Sequence, residues 1–194
     1  TGSDNNVQGL LRVLARRDVP RRPGSNMLGD YNKGEHHVWL GPDCAISKDG
    51  FLSPSPVIYV PSGASLDKRV SYTPTDDDTF LEIASTVFRY LPQVNTPEVI
   101  LPILGWFFAT PMKASFMKAV GSFPTLFVWG TQGSGKSSLC IDIMWPLFGV
   151  RDAEPYSATE TEFALLKLLT STRSVPVFID EYKPYDMQRQ RLNT

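Results

Sequence analysis

Apolar positions along this chain switch between helical and strand spacing, and the switches outline the elements. The stretch from Val7 to Arg17, carrying Leu10, Leu11 and Leu14, predicts a short helix. From Glu35 to Ser62 the texture is β, with His37-Val38-Trp39-Leu40 and Val57-Ile58-Tyr59-Val60 rich in β-branched and aromatic residues. Gly41-Pro42-Asp43 and Asp49-Gly50 punctuate them, and the latter pair signals a hairpin turn in a small antiparallel β element. Phe80, Leu81, Ile83, Ala84, Val87, Phe88 and Leu91 then mark an amphipathic helix, with Asp76-Asp77-Asp78 at its positive end. A second helix opens with Thr96 as N-cap, Pro97 and Glu98, and runs through Ile100, Ile103, Leu104, Phe107 and Phe108 with a kink at Pro102. Both are expected in the core. Thr125-Leu126-Phe127-Val128-Trp129 reads as a strand, and Leu139, Cys140, Ile143, Met144 and Leu147 as a helix ended by Trp145-Pro146 and Gly149. A short strand near Pro155-Tyr156-Ser157, a capping box at Thr159 and Glu162, and a helix over Phe163–Leu169 follow. They lead to the apolar run Val175-Pro176-Val177-Phe178-Ile179, read as a strand buried on both faces. The order predicts an α/β fold with a parallel sheet flanked by helices, preceded by a helical pair and a small β element.

Candidate chemistry sits at the ends of two of these strands. Gly130-Thr131-Gln132-Gly133-Ser134-Gly135-Lys136-Ser137-Ser138 matches G-x-x-x-x-G-K-[ST], the phosphate-binding pattern called Walker A. Backbone N–H groups surround a triphosphate only where no side chain blocks them, and Gly130, Gly133 and Gly135 supply that bare backbone. The following helix aims its positive end at the phosphates, Lys136 reaches the outer phosphates, and the Ser137 hydroxyl ligates Mg²⁺. The run ending in Asp180-Glu181 has the Walker B pattern: Asp180 holds Mg²⁺ and Glu181 polarises the attacking water. A Gly/Ser turn and a strand ending in solvated acids are the bland alternatives, and the strand–loop–helix context argues against the first.

Composition narrows the setting. A net charge of −1 makes no general demand for nucleic acid or an anionic membrane. Arg12, Arg16, Arg17, Arg21 and Arg22 crowd near the start, a cluster that reads as a solvated arm or a docking helix before it reads as a phosphate contact. Cys44 and Cys140 form neither a disulfide framework nor a C-x-x-C pair, the profile of a reducing, cytoplasmic compartment. His36 and His37 lack a third ligand at metal spacing. The apolar run from Val99 to Ala109 is too short to span a bilayer. Thr1-Gly2-Ser3 has the form of a cloning scar. Three segments result: a basic arm over 1–34, a β-rich accessory segment over 35–75, and a helical entry with an ATPase core over 76–194.

With both patterns in place, the chain resembles P-loop NTPases. The adjacent Asp180-Glu181 pair is more similar to AAA+, superfamily-3 and RecA-like motors than to nucleotide kinases. The helical pair followed by Phe123-Pro124 and the Thr125–Trp129 strand resembles the helicase-like modules of phage, plasmid and integrated-element replication proteins. That resemblance implies an ATP-hydrolysing, Mg²⁺-dependent motor acting on DNA as a homo-oligomer away from membranes. It also implies a sensor residue and an arginine finger beyond Thr194, so the sequence reads as part of a longer protein. Alone it is expected to bind nucleotide weakly and to be inactive, with too few strands to complete its sheet. A P-loop kinase or switch, and an interaction module that nucleotide stabilises without turnover, are the rival readings.

Overall fold

In the computed structural model the described residues are 4–15, 21–61, 63, 65–151 and 154–180. They form an α/β arrangement of helices and small sheets. α1 (Asp4–Ala15) comes first, followed by β1 (Gly24–Ser25), β2 (Gly29–Lys33), β3 (His36–Leu40), β4 (Ala45–Ser47), β5 (Gly50–Leu52) and β6 (Ile58–Tyr59). β2 to β5 make a four-stranded antiparallel meander, while β6 pairs in parallel with β1. The Lys48-Asp49 turn joins β4 to β5 with Ser47 opposite Gly50, so the expected hairpin forms there. Gly50 takes a φ of 107°, a conformation only glycine adopts without strain. The sheet starts earlier than the sequence pattern implied. β2 belongs to it, because Gly29 and Tyr31 alternate inward opposite Leu40 and Val38 of β3, while Leu28 just before it bridges Thr172 instead.

α2 (Asp77–Tyr90), α3 (Pro97–Ala109) and α4 (Lys113–Val120) follow. α3 meets the expectation of a core helix: Ile100, Ile103, Leu104 and Phe107 are buried. α2 departs from it, since none of its residues is buried and Phe80, Leu81, Ile83 and Phe88 are exposed. Periodicity identifies an apolar face, and here that face is only partly covered, through Val87 and a Phe88–Phe108 ring contact at 5.3 Å. A tight turn over Thr110–Met112 joins α3 to α4, so the helical run extends from Pro97 to Val120. By length and composition that 24-residue run could cross a membrane, which the Val99–Ala109 stretch within it is too short to do. It buries Ile100, Leu104 and Phe107 in the protein core and carries Lys113 and Lys118 in its second half.

The second half of the chain contains α5 (Lys136–Ser138), a wider π turn over Leu139–Met144 and α6 (Trp145–Leu147), which run on as one helix. Pro146 lacks an N–H for the ordinary helical ladder, and the Trp145 N–H reaches back five residues to Cys140. β7 (Tyr156–Ser157), α7 (Glu162–Leu169) and β8 (Ile179–Asp180) complete the described elements. Thr161, not Thr159, caps α7, accepting from the Ala164 N–H at 3.2 Å. β7 and β8 pair in parallel, with Tyr156 opposite Ile179 and Ser157 opposite Asp180.

Two expectations about the sheet need correction. Val175–Phe178 precedes β8 as irregular chain, so the strand is confined to Ile179–Asp180. Thr125–Trp129 is not in a strand ladder among the described residues, and Phe127 and Trp129 are exposed. β-branched and aromatic residues favour a strand only when a neighbouring strand completes the hydrogen bonds. The sheets are therefore small, and parallel pairing among the described residues is limited to β1–β6, β7–β8 and the Leu28–Thr172 bridge.

One apolar cluster joins the two halves. Leu28, Leu40, Leu104, Phe107, Trp145, Phe148 and Val175 all belong to it. The Phe107 and Phe148 rings meet edge-on at 4.9 Å, and Trp39 approaches Phe148 at 6.1 Å. The Leu28 N–H donates to the Ser171 carbonyl at 2.9 Å, and the Arg173 N–H donates to the Leu28 carbonyl at 3.0 Å.

Candidate functional site

The Gly130–Ser138 loop takes its shape from its glycines and from Lys136. Gly133 and Gly135 have φ of 77° and 81°, left-handed values that a β-carbon makes costly. Gly130 is restricted by contact instead, because a β-carbon there would lie 3.1 Å from the Ser134 hydroxyl. The Lys136 ammonium folds back over the loop. It donates to the Gly130 carbonyl at 2.9 Å, the Thr131 carbonyl at 2.8 Å and the Ser134 hydroxyl at 3.2 Å. Gly135 is the N-cap of the helix that follows, and its carbonyl accepts from the Leu139 N–H at 2.9 Å. Thr131, Gln132 and Ser138 are exposed around this turn.

Ser137 and Asp180, separated by 43 positions, meet at the base of the loop: the Ser137 hydroxyl donates to Oδ2 of Asp180 at 3.2 Å. Their meeting follows from how the loop helix is tied down at its far end. Trp145 is almost wholly buried, donates its indole N–H to the Pro176 carbonyl at 3.0 Å, and stacks edge-on against Phe178 and Tyr156. With Pro176 and Phe178 fixed against the end of the helix, Asp180 arrives beside its start. Cys140, one turn past Ser137, lies close enough to feel that carboxylate. Burial pushes its thiol up to about 11, and the Asp180 charge adds to the rise.

The structure brings together Gly130, Thr131, Ser134 and Lys136 in the loop, and Ser137 with Asp180 beneath it. Glu181 lies outside the described residues. The sequence pattern alone missed two neighbours. Ser157 stands opposite Asp180 in the parallel pair, and the Ala158 N–H donates to the Asp180 carbonyl at 3.3 Å. Only the shortness of β7 before a polar turn hinted at them. Trp145 read as a helix-end marker and is instead the clamp between loop helix and β8.

A hydroxyl oxygen and a carboxylate oxygen side by side suit a hard divalent cation, which Mg²⁺ exemplifies. No cluster of three or more His, Cys, Asp or Glu side chains with metal-binding spacing occurs among the described residues. Such a pair could thus supply only part of a coordination shell. Comparison with family models, with curated proteins and with solved structures gives no match for this chain.

Proposed function

We propose that this chain is an ATP-binding and ATP-hydrolysing module of the P-loop class, working as a helicase-like motor on DNA. The observation that carries the reading is the Ser137–Asp180 contact at 3.2 Å, formed beneath a loop whose lysine is already folded inward. Chance Gly/Ser turns have no reason to seat their serine on a carboxylate at the tip of a distant strand. The parallel pairing of β7 with β8, which puts Asp180 at a strand end, also supports the reading.

In this reading, phosphate oxygens replace the Gly130 and Thr131 carbonyls as partners of the Lys136 ammonium. Ser137 and Asp180 would hold Mg²⁺ with the nucleotide, and the metal would neutralise charge on the outer phosphates. The backbone N–H groups of Gly133 to Lys136 would bind the phosphates, and Glu181 would orient water as general base. Cytoplasmic location, DNA as partner and assembly of several copies belong to the same proposal.

Titration calorimetry with Mg-ATP tests the loop. Lys136→Ala should weaken binding by at least about tenfold, since a hydrogen bond to a charged group contributes ~1.5–3 kcal/mol. Unchanged affinity would remove the phosphate-loop reading. Glu181→Gln should retain binding and lose phosphate release, measured with and without single-stranded DNA. Binding without turnover in the unsubstituted protein would favour an interaction module, and stable transfer to an acceptor would favour a kinase.

A further inference from the structure

The contacts that fold Lys136 inward also set the loop against an incoming phosphate, and one of them comes from a position that G-x-x-x-x-G-K-[ST] leaves open. An ammonium group has three N–H donors. In Lys136 they meet three acceptors: the Gly130 carbonyl at 2.9 Å, the Thr131 carbonyl at 2.8 Å and the Ser134 hydroxyl at 3.2 Å. The Thr131 carbonyl takes a second donor as well, the Ser134 N–H at 3.3 Å. Two groups that a phosphate would use, the Lys136 ammonium and the Ser134 N–H, are therefore spent inside the loop. Packing agrees with this closure. A β-carbon at Gly130 would lie 3.1 Å from the Ser134 hydroxyl, 3.5 Å from Cδ of Lys136 and 3.8 Å from its Nζ.

Phosphate can reach Lys136 only by exchanging with a partner the ammonium already has. The Ser134 bond is the longest of the three, and its acceptor alone is a side chain. Ser134 itself is exposed, whereas Lys136 is half-buried. Breaking that bond thus returns a hydroxyl to water without disturbing the core, which makes it the natural first exchange.

We propose that Ser134 is a latch on this loop: its hydroxyl holds Lys136 in the closed arrangement, and nucleotide enters only the fraction of molecules in which that bond is open. The proposal rests on the phosphate-loop reading above and adds to it a residue whose loss improves binding. The sign is what sets a latch apart from a phosphate ligand. Apparent affinity scales with the fraction of molecules competent to bind, and a latch lowers that fraction. Its removal therefore speeds association, whereas removal of a phosphate contact speeds release.

Stopped-flow binding of a methylanthraniloyl-labelled ATP with Mg²⁺ to the full chain provides the test. Ser134→Ala should raise the association rate roughly two- to tenfold, the span of one net hydrogen bond, and leave the dissociation rate unchanged. Ser134→Thr, which keeps the hydroxyl, should bind as the unsubstituted chain does. Melting temperature should be the same for all three, since Ser134 is exposed. Association in Ser134→Ala that is unchanged or slower would overturn the latch and leave the phosphate-loop reading standing. Faster release with unchanged association would also overturn it, because Ser134 would then be holding phosphate and not lysine. Absence of binding by the unsubstituted chain and by both variants would overturn the latch and the phosphate-loop reading together.

Discussion

Cys140 is where burial and charge at the base of the loop can be read through one atom. Its thiol is pushed up to about 11 from the ordinary 9.0, first by burial and then by Asp180. At pH 7.5 it should therefore resist alkylation, because the thiolate is the reactive form. Asp180→Asn should speed alkylation of the folded protein, and an unchanged rate would show that the carboxylate does not act on the thiol. The linkage has a definite sign. The folded-state value lies above the unfolded one, so the neutral thiol's contribution is whole below pH 9 and fades as pH climbs toward 11. At this scale the candidate site was largely legible in the sequence, since G-x-x-x-x-G-K-[ST] is local chemistry. What periodicity could not convey was Trp145, whose partners Pro176 and Phe178 lie far along the chain.

Among the elements, α2 separates what local sequence determines from what it does not. Its start is local: the Asp76 carboxylate accepts the Thr79 N–H and the Thr79 hydroxyl, each at 2.8 Å. Those bonds, the backbone one first, hold the Asp76 carboxyl below its usual value of 3.8. The stabilisation is thus complete above that value and lost as pH falls through the lower folded one. Asp76→Ala should lower the thermal midpoint at pH 7 and lower it by less under acid conditions, where only the charge-dependent part of the cap is lost, a contrast that circular dichroism melts at both pH values would check. The helix boundary was legible for this reason. The covering of Phe80 and Ile83 was not, because a 3.6-residue period specifies a face and is silent on what meets it. The Thr125–Trp129 segment has the same origin: alternation is a property of five residues, whereas a strand needs a neighbour to bond with. Thr161 took the cap from Thr159 because α7 starts at Glu162, two residues later than the Glu160 start the capping-box register needs.

For the whole molecule, the shared cluster binds the β-rich segment to the loop region. Leu28 is fully buried, and its backbone bonds Ser171 and Arg173 just ahead of β8. Leu28→Ala should cost about 2–5 kcal/mol. Since the core is one cluster, far-ultraviolet and near-ultraviolet melts should shift together as a single transition. Two separate transitions would show that the halves are held more loosely than this packing requires. The three-segment division drawn from composition gives no hint of that coupling, because Leu28 falls inside a stretch dominated by arginine, proline and glycine. Trp145 is sealed in this core at 1% exposure, whereas Trp129, next to Gly130, stands 86% in solvent. Two of the protein's four tryptophans thus stand at opposite extremes of colour: a blue-emitting indole shielded from iodide that reports on the interior, and a red-shifted, readily quenched one at the mouth of the loop.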